Sequence, residues 1–329
     1  MIFKTLGFLI GITLFIFFSN ILIYFFTNDD EGFKFVKGEK ESNNVIAVIE
    51  VNGPIINNYN KTLVGNIVDY IDPDIIKKNL TVLGKISPKI LIIKINSPGG
   101  TVVASSSLET IIRNFKSNHK TEIYFHSNEL LASGGYWVAT SGDKIYANYG
   151  AIIGSIGVSG PSWYYYDNPI SISTGILGQS IETKNGIKVF DQYVGISKDL
   201  YNPFRKPTKK ELDHLNKLTQ SVYNDFLFKV SKSRKIEINT LENEIGALIF
   251  SSSQAKKNFL IDDVINYEQL INRIVKDKGF ENYKLYEMQS SDNLISRYFN
   301  SFLNNNHQII CKKLNTNLFS ILPTFLNNC

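Results

Sequence analysis

The chain of 329 residues is 43% hydrophobic and 20% charged, with 35 basic against 30 acidic side chains and a net charge of +5. The length admits two domains, yet one membrane segment and one α/β domain account for most of it. The modest charge holds no basic block, which argues against a nucleic-acid partner. Cys311 and Cys329 lie near the C-terminus, free or paired outside the cell and apart from every motif, so neither a metal site nor a catalytic thiol is indicated.

Residues 1–5 form a short flank. Leu6 to Thr27 then runs without a charge; as a helix rising ~1.5 Å per residue it would cover about 33 Å, enough for a ~30 Å hydrocarbon core. The run is longer than a signal-peptide apolar region and ends in Tyr24-Phe25-Phe26 with no small-residue cleavage pattern, so it reads as an uncleaved anchor. Lys4 precedes it, while Lys34, Lys37 and Lys40 follow behind Asp29-Asp30-Glu31, and the positive-inside count therefore leaves orientation open. A polar linker spans residues 28–43, the expected domain spans 44–283, and an Asn-rich tail of unassigned role spans 284–329.

Within the domain, Ile90 to Ile95 predicts a buried strand and Thr101 to Phe115 a helix, separated by Ser97-Pro98-Gly99-Gly100. Glu122 to His126 predicts a second strand, and Ser133-Gly134-Gly135 sits where a second helix begins. Two such turns can lie side by side at a sheet edge. A backbone N–H from Gly99 or Gly100 and the N–H of Gly134 can then converge on a polarised carbonyl oxygen, with Ser133 beside its carbon, which is the arrangement acyl transfer needs. Alone, Ser133 would read as a helix N-cap; the pairing of the two turns favours a nucleophile. Further on, Thr208-Lys209-Lys210-Glu211 is a capping box that predicts a helix to about Arg234. Leu212, Leu215, Leu218, Val222, Phe226 and Val230 share one face of it, suited to a core or a subunit contact.

A serine hydroxyl needs a general base. His119, His126, His214 and His307 accompany no recognisable motif and read as ordinary surface or strand-end histidines. A lysine serves if burial lowers its pKa from ~10.4 toward neutrality.

Ile95 to Gly100, Ala132 to Tyr136, Asp143 to Ala147 and Gly154 to Val158 together resemble, in order and spacing, the signal peptide peptidase family (SppA, protease IV) of the Clp protease and crotonase fold group. The resemblance spans about Asn44 to Gly279. It implies an α/β fold of repeated β-β-α units and a Ser/Lys dyad. The family's Gly-x-x-Lys-Asp element followed by Pro-Phe-Arg matches Gly195 to Arg205, which makes Lys198 the candidate base; Lys188, in a stretch one residue short of an alternative family form, is the rival. Ser155 matches a serine that orients the lysine amine. Ser252 and Phe259 stand where the family usually has glycine.

The resemblance further implies a membrane-bound serine endopeptidase with its catalytic domain outside the cytoplasm. Its substrates would be cleaved signal peptides and other unfolded apolar segments, and it would work as a homo-oligomer without cofactor or metal. Two alternatives are an acyl-CoA enzyme of the same fold group and an inactive membrane scaffold.

Overall fold

The computed structural model describes residues 10–19, 32–57, 70–165, 171–173, 180–182 and 192–288. Helix α1 (10–19) exposes Ile10, Leu14, Phe15 and Phe17. No helix among the described residues is long and apolar enough to cross a membrane; the remainder of the expected anchor, 6–9 and 20–27, lies outside them, as do Lys188, His307, Cys311 and Cys329.

The order continues β1 (Phe33–Gly38), β2 (Val45–Asn52), α2 (Pro73–Gly84), β3 (Ile90–Asn96), α3 (Val102–His119), β4 (Glu122–Ser127), β5 (Leu130–Ala132), α4 (Gly134–Ala139), β6 (Lys144–Ala147) and β7 (Ile152–Gly154). The short strands β8 (Ser171–Ser173) and β9 (Ser180–Glu182) pair with each other. Then come α5 (Lys209–Arg234), α6 (Ile238–Thr240), a π-helical turn (Leu241–Ile245), β10 (Ile249–Ser251), α7 (Ser252–Lys257), β11 (Asp263–Val264), α8 (Tyr267–Asp277) and β12 (Lys284–Met288).

Seven strands form the main sheet in the order β1-β12-β2-β3-β4-β6-β11, parallel throughout except for β1. Strands buried on both faces explain the near-continuous Ile, Val and Leu of β2 and β3. In β2, Ala47 and Ile49 face α2, α3, α4 and α5, while Ile46 and Val48 face α8 with its Leu270, Ile271 and Ile274. A second, three-stranded sheet, β10-β7-β5, stands at the carboxyl ends of the main strands, and a bridge from Ser97 to Leu131 joins the two. Each crossing from the main sheet through a short strand, as in β4-β5-α4 and β6-β7, places a turn at that edge.

The predicted strands and helices in the motif region are present, with α3 running four residues beyond Phe115. Helix α5 starts on the predicted capping box and ends at Arg234. The sheet also draws in both flanks: β1 lies within the stretch read as linker, and β12, from the stretch read as tail, inserts between β1 and β2 with Leu285 buried.

Candidate active site

Backbone bonds clamp the two glycine turns together. Ser97 N–H donates to Leu130 O at 2.7 Å and Ala132 N–H to Ser97 O at 3.0 Å. The side chain of Asn96 adds a second tie, its Oδ1 accepting from the N–H groups of Asn128 and Glu129, each at 3.0 Å, and from Ser127 Oγ at 3.3 Å. Gly100 bridges Ile55; a Cβ there would sit 1.9 Å from Ile55 O, so only glycine permits this approach. Gly99 donates its N–H to Ser97 Oγ at 3.2 Å, a long bond on the side chain of its own turn.

Ser133 occupies the turn from β5 into α4 at φ 53° and ψ −122°, a conformation costly to a residue with a Cβ, by about 1–3 kcal/mol. It does not cap α4 with its side chain. Its Oγ is buried and without a hydrogen-bond partner among the described residues. A strained serine at a strand-to-helix turn, with its hydroxyl uncommitted, is how a fold presents a nucleophile. Ser133 N–H donates to Gly154 O at 2.9 Å, which sets Ser155 beside it; Ser155, also at positive φ (54°), is buried and held by its N–H to Leu248 O at 2.8 Å.

Behind Ser133, Trp137 fixes α4. Its Nε1 donates to the buried Glu109 carboxylate at 2.9 Å, and its ring packs on Phe226 of α5 at 5.0 Å between centroids. Burial would raise the Glu109 pKa, but bonds from Lys229, Arg113 and Trp137 outweigh it and hold the group below its ordinary value. A cavity of about 830 Å³ nearby is lined by Glu109, Arg113, Trp137, Phe228 and Lys229; neither Ser133, Ser155 nor Lys198 lines it.

Lys198 is placed differently. It lies on a turn, its N–H donating to Gly195 O at 3.2 Å, and its side chain is exposed. No hydrogen bond or ion pair of its amine is found among the described residues. The structure thus brings together Ser133, Gly134, the Gly99-Gly100 turn and Ser155, and leaves Lys198 on an exposed turn, with no bond to them among the described residues. Of the four histidines, His126 is fully buried, with Nε2 donating to Ile265 O at 3.0 Å and Nδ1 unpartnered. Sequence reasoning missed the Asn96 tie and Arg205, whose guanidinium joins the Lys198 turn to α5 through Asp199 and Glu211.

A buried, strained serine at a strand-to-helix turn, where a parallel sheet meets a small second sheet and two glycine turns come together, has the form of a serine-hydrolase site. Comparison with known proteins is specific: the chain belongs to peptidase family S49, whose profile matches residues 115–281. It is similar to a provisionally designated protease of Methanocaldococcus jannaschii, 31% identical over 207 residues, covering 63% of this chain and 62% of that one. A provisionally designated signal peptide peptidase SppA of Enterococcus faecium is 26% identical over 202 residues, covering 61% and 55%. The chain therefore spans less than two thirds of the length of either relative. Among solved structures, a mutant of the 1510-N membrane-bound stomatin-specific protease in complex with a substrate peptide matches at a TM-score of 0.45 and 16% identity, covering 78% of this chain and 98% of that one.

Proposed function

We propose that this protein is a serine endopeptidase of the Clp protease and crotonase fold group that cleaves unfolded apolar peptides, signal peptides among them, through a Ser133/Lys198 dyad. The observation that carries the reading is the buried, strained Ser133 with its uncommitted hydroxyl. Ser133 Oγ attacks the peptide carbonyl while Lys198 takes its proton and later returns it to the leaving amine. Gly134 N–H and an N–H of the Gly99-Gly100 turn stabilise the oxyanion, and water releases the acyl-enzyme. Ser155 orients the lysine amine. The exposed lysine must lose its water to act as a base; in our reading, substrate and a neighbouring copy of the chain cover the turn. The half-buried Leu215, Leu218 and Val222 and exposed Leu212 of α5 support such a contact.

The test is a fluorophosphonate probe on the full-length protein: labelling of the wild type that vanishes in Ser133→Ala supports the reading, and equal labelling of both overturns it. Membrane attachment with the domain outside the cytoplasm is supported by the charge-free run Leu6 to Thr27 and the exposed apolar face of α1. Glu41→Cys, at an exposed position, in a background lacking Cys311 and Cys329 should react with an impermeant maleimide on intact cells. Reaction only after lysis would place the domain inside.

A further inference from the structure

Arg205 grips the turn that bears Lys198 on two sides. Arg205 directs Nε and Nη2 at the Asp199 carboxylate, with Nη2 to Oδ1 at 2.7 Å. The same guanidinium grips Glu211, Nη1 to Oε2 at 2.9 Å and Nη2 to Oε1 at 2.8 Å. Asp199 directly follows Lys198; Glu211 is the N3 residue of the α5 capping box, its Oε2 also accepting from the N–H of the N-cap Thr208 at 2.9 Å. Both carboxyl groups are held below their ordinary pKa, first by the bonds from Arg205. The third side of the guanidinium meets the Trp163 ring at 5.2 Å, and Trp163 Nε1 donates to Asn202 O at 3.1 Å on the same turn. Trp163 lies downstream of Ser155 on the strand-to-loop path that leaves the elbow.

These contacts form a continuous mechanical path. Arg205 bolts the Lys198 turn to the first turn of α5, and α5 is fixed near its other end to α4 by Phe226 on Trp137 and to α3 by Lys229 on Glu109 at 2.7 Å, the same carboxylate that accepts from Trp137 Nε1 of α4. Ser133 precedes α4. The two halves of the dyad, 65 residues apart in the chain, are therefore referenced to the same helix. We propose that Arg205 is the positioning residue for the Lys198 amine, setting where the base stands relative to Ser133 through the Asp199 and Glu211 carboxylates. This rests on the reading of Lys198 as base. Because the grip uses four planar N–H···O bonds to two carboxylates plus an aromatic face, an ammonium cannot reproduce it.

The experiment uses the full-length protein with a peptide reporter and the phosphonate probe. Arg205→Ala and Arg205→Lys should each lower kcat about 10- to 100-fold, the scale of a displaced catalytic group, with KM within about twofold. Asn266→Ala, which removes the cap of the remote helix α8, provides a variant destabilised elsewhere and should keep kcat. In the Lys198→Ala background, adding Arg205→Ala should change the residual labelling rate of Ser133 little, because a residue that acts through Lys198 has nothing left to position. If Arg205→Ala lowers that residual rate by its full single-variant factor, or if Arg205→Lys retains wild-type kcat, the proposal is overturned. If Lys198→Ala itself retains wild-type turnover, the dyad reading fails and the positioning role falls with it.

Discussion

The Ser133 half and the Lys198 half of the candidate site are built by opposite means. Around Ser133 the chain is buried, and the positions are set by backbone bonds: Ser97 to Leu130 and Ala132, Ser133 to Gly154, Ser155 to Leu248. Around Lys198 the turn is exposed and its position is set by charged side chains converging on Arg205. Backbone-made geometry is rigid and tolerates no added Cβ, whereas a turn held by ion pairs at the surface can be re-aimed when something covers it. Ser133 is thus set by the backbone of the single chain, whereas Lys198 stands on an exposed turn.

Replacing Lys198 by alanine tests this contrast most severely. Turnover of a signal-peptide reporter should fall by about 10²–10⁴-fold, the worth of a general base. The melting temperature should stay unchanged, since an exposed side chain with no hydrogen bond or ion pair among the described residues contributes little to stability. Turnover that survives Lys198→Ala and is lost in Lys188→Ala would move the base to Lys188.

Gly100→Ala strikes the other half. Its Cβ would meet a backbone oxygen rather than a pliable side chain, so the turn must shift. Turnover should drop about 10²–10³-fold, the cost of one misplaced oxyanion donor, and overpacking should also cost about 1–3 kcal/mol in urea unfolding. Wild-type activity in this variant would show that the Gly99-Gly100 turn is not part of the site.

Two positive-φ residues separate strain kept for function from strain without that role. Ser133→Gly should abolish turnover while raising unfolding stability by about 1–2 kcal/mol. Phe259, at φ 59° and 71% exposed where the family usually carries glycine, should gain a comparable ~1 kcal/mol as Phe259→Gly with activity intact. Ser252, the other departure from glycine, is accommodated differently: it is buried, and its Oγ accepts from Gly150 N–H at 3.2 Å. Loss of stability in Ser133→Gly would mean that the elbow is relaxed.

The smallest effect is electrostatic and lies beneath the Ser133 half. Burial pushes the His126 pKa below its ordinary 6.5, the bond to Ile265 opposing and Lys94 adding to the shift. The unfolded chain therefore takes up this proton first as the pH falls, and the His126 contribution to stability should decline from about pH 6.5 downward until the folded pKa is passed. His126→Gln, whose amide can still donate to Ile265 O, should flatten that part of the pH dependence of the urea midpoint. An unchanged slope would assign it to other groups.

Much of this was written locally. The strand, glycine turn and helix around Ser97 and Ser133 follow from short apolar runs and Pro-Gly-Gly punctuation, and the start of α5 from a capping box spaced i to i+3. Such signals need only near neighbours in the chain, so the sequence alone determined these elements, the serine turn at Ser133 and the motif that contains Lys198. Other features depended on groups distant in sequence. Strand β12 has only Leu285 deeply buried and acquires its place from β1 and β2 on either side. The conformation of Ser133 is imposed by Gly154 and by the Ser97 turn packed against Gly135, where a Cβ would lie 3.0 Å from that of Ser97. Arg205 was legible as part of Pro-Phe-Arg but its work was not, because a guanidinium declares its partners only when Asp199, Glu211 and Trp163 are brought around it. Local periodicity fixes what each segment becomes; tertiary packing alone decides which side chains meet, and so which serine is strained and which turn is held.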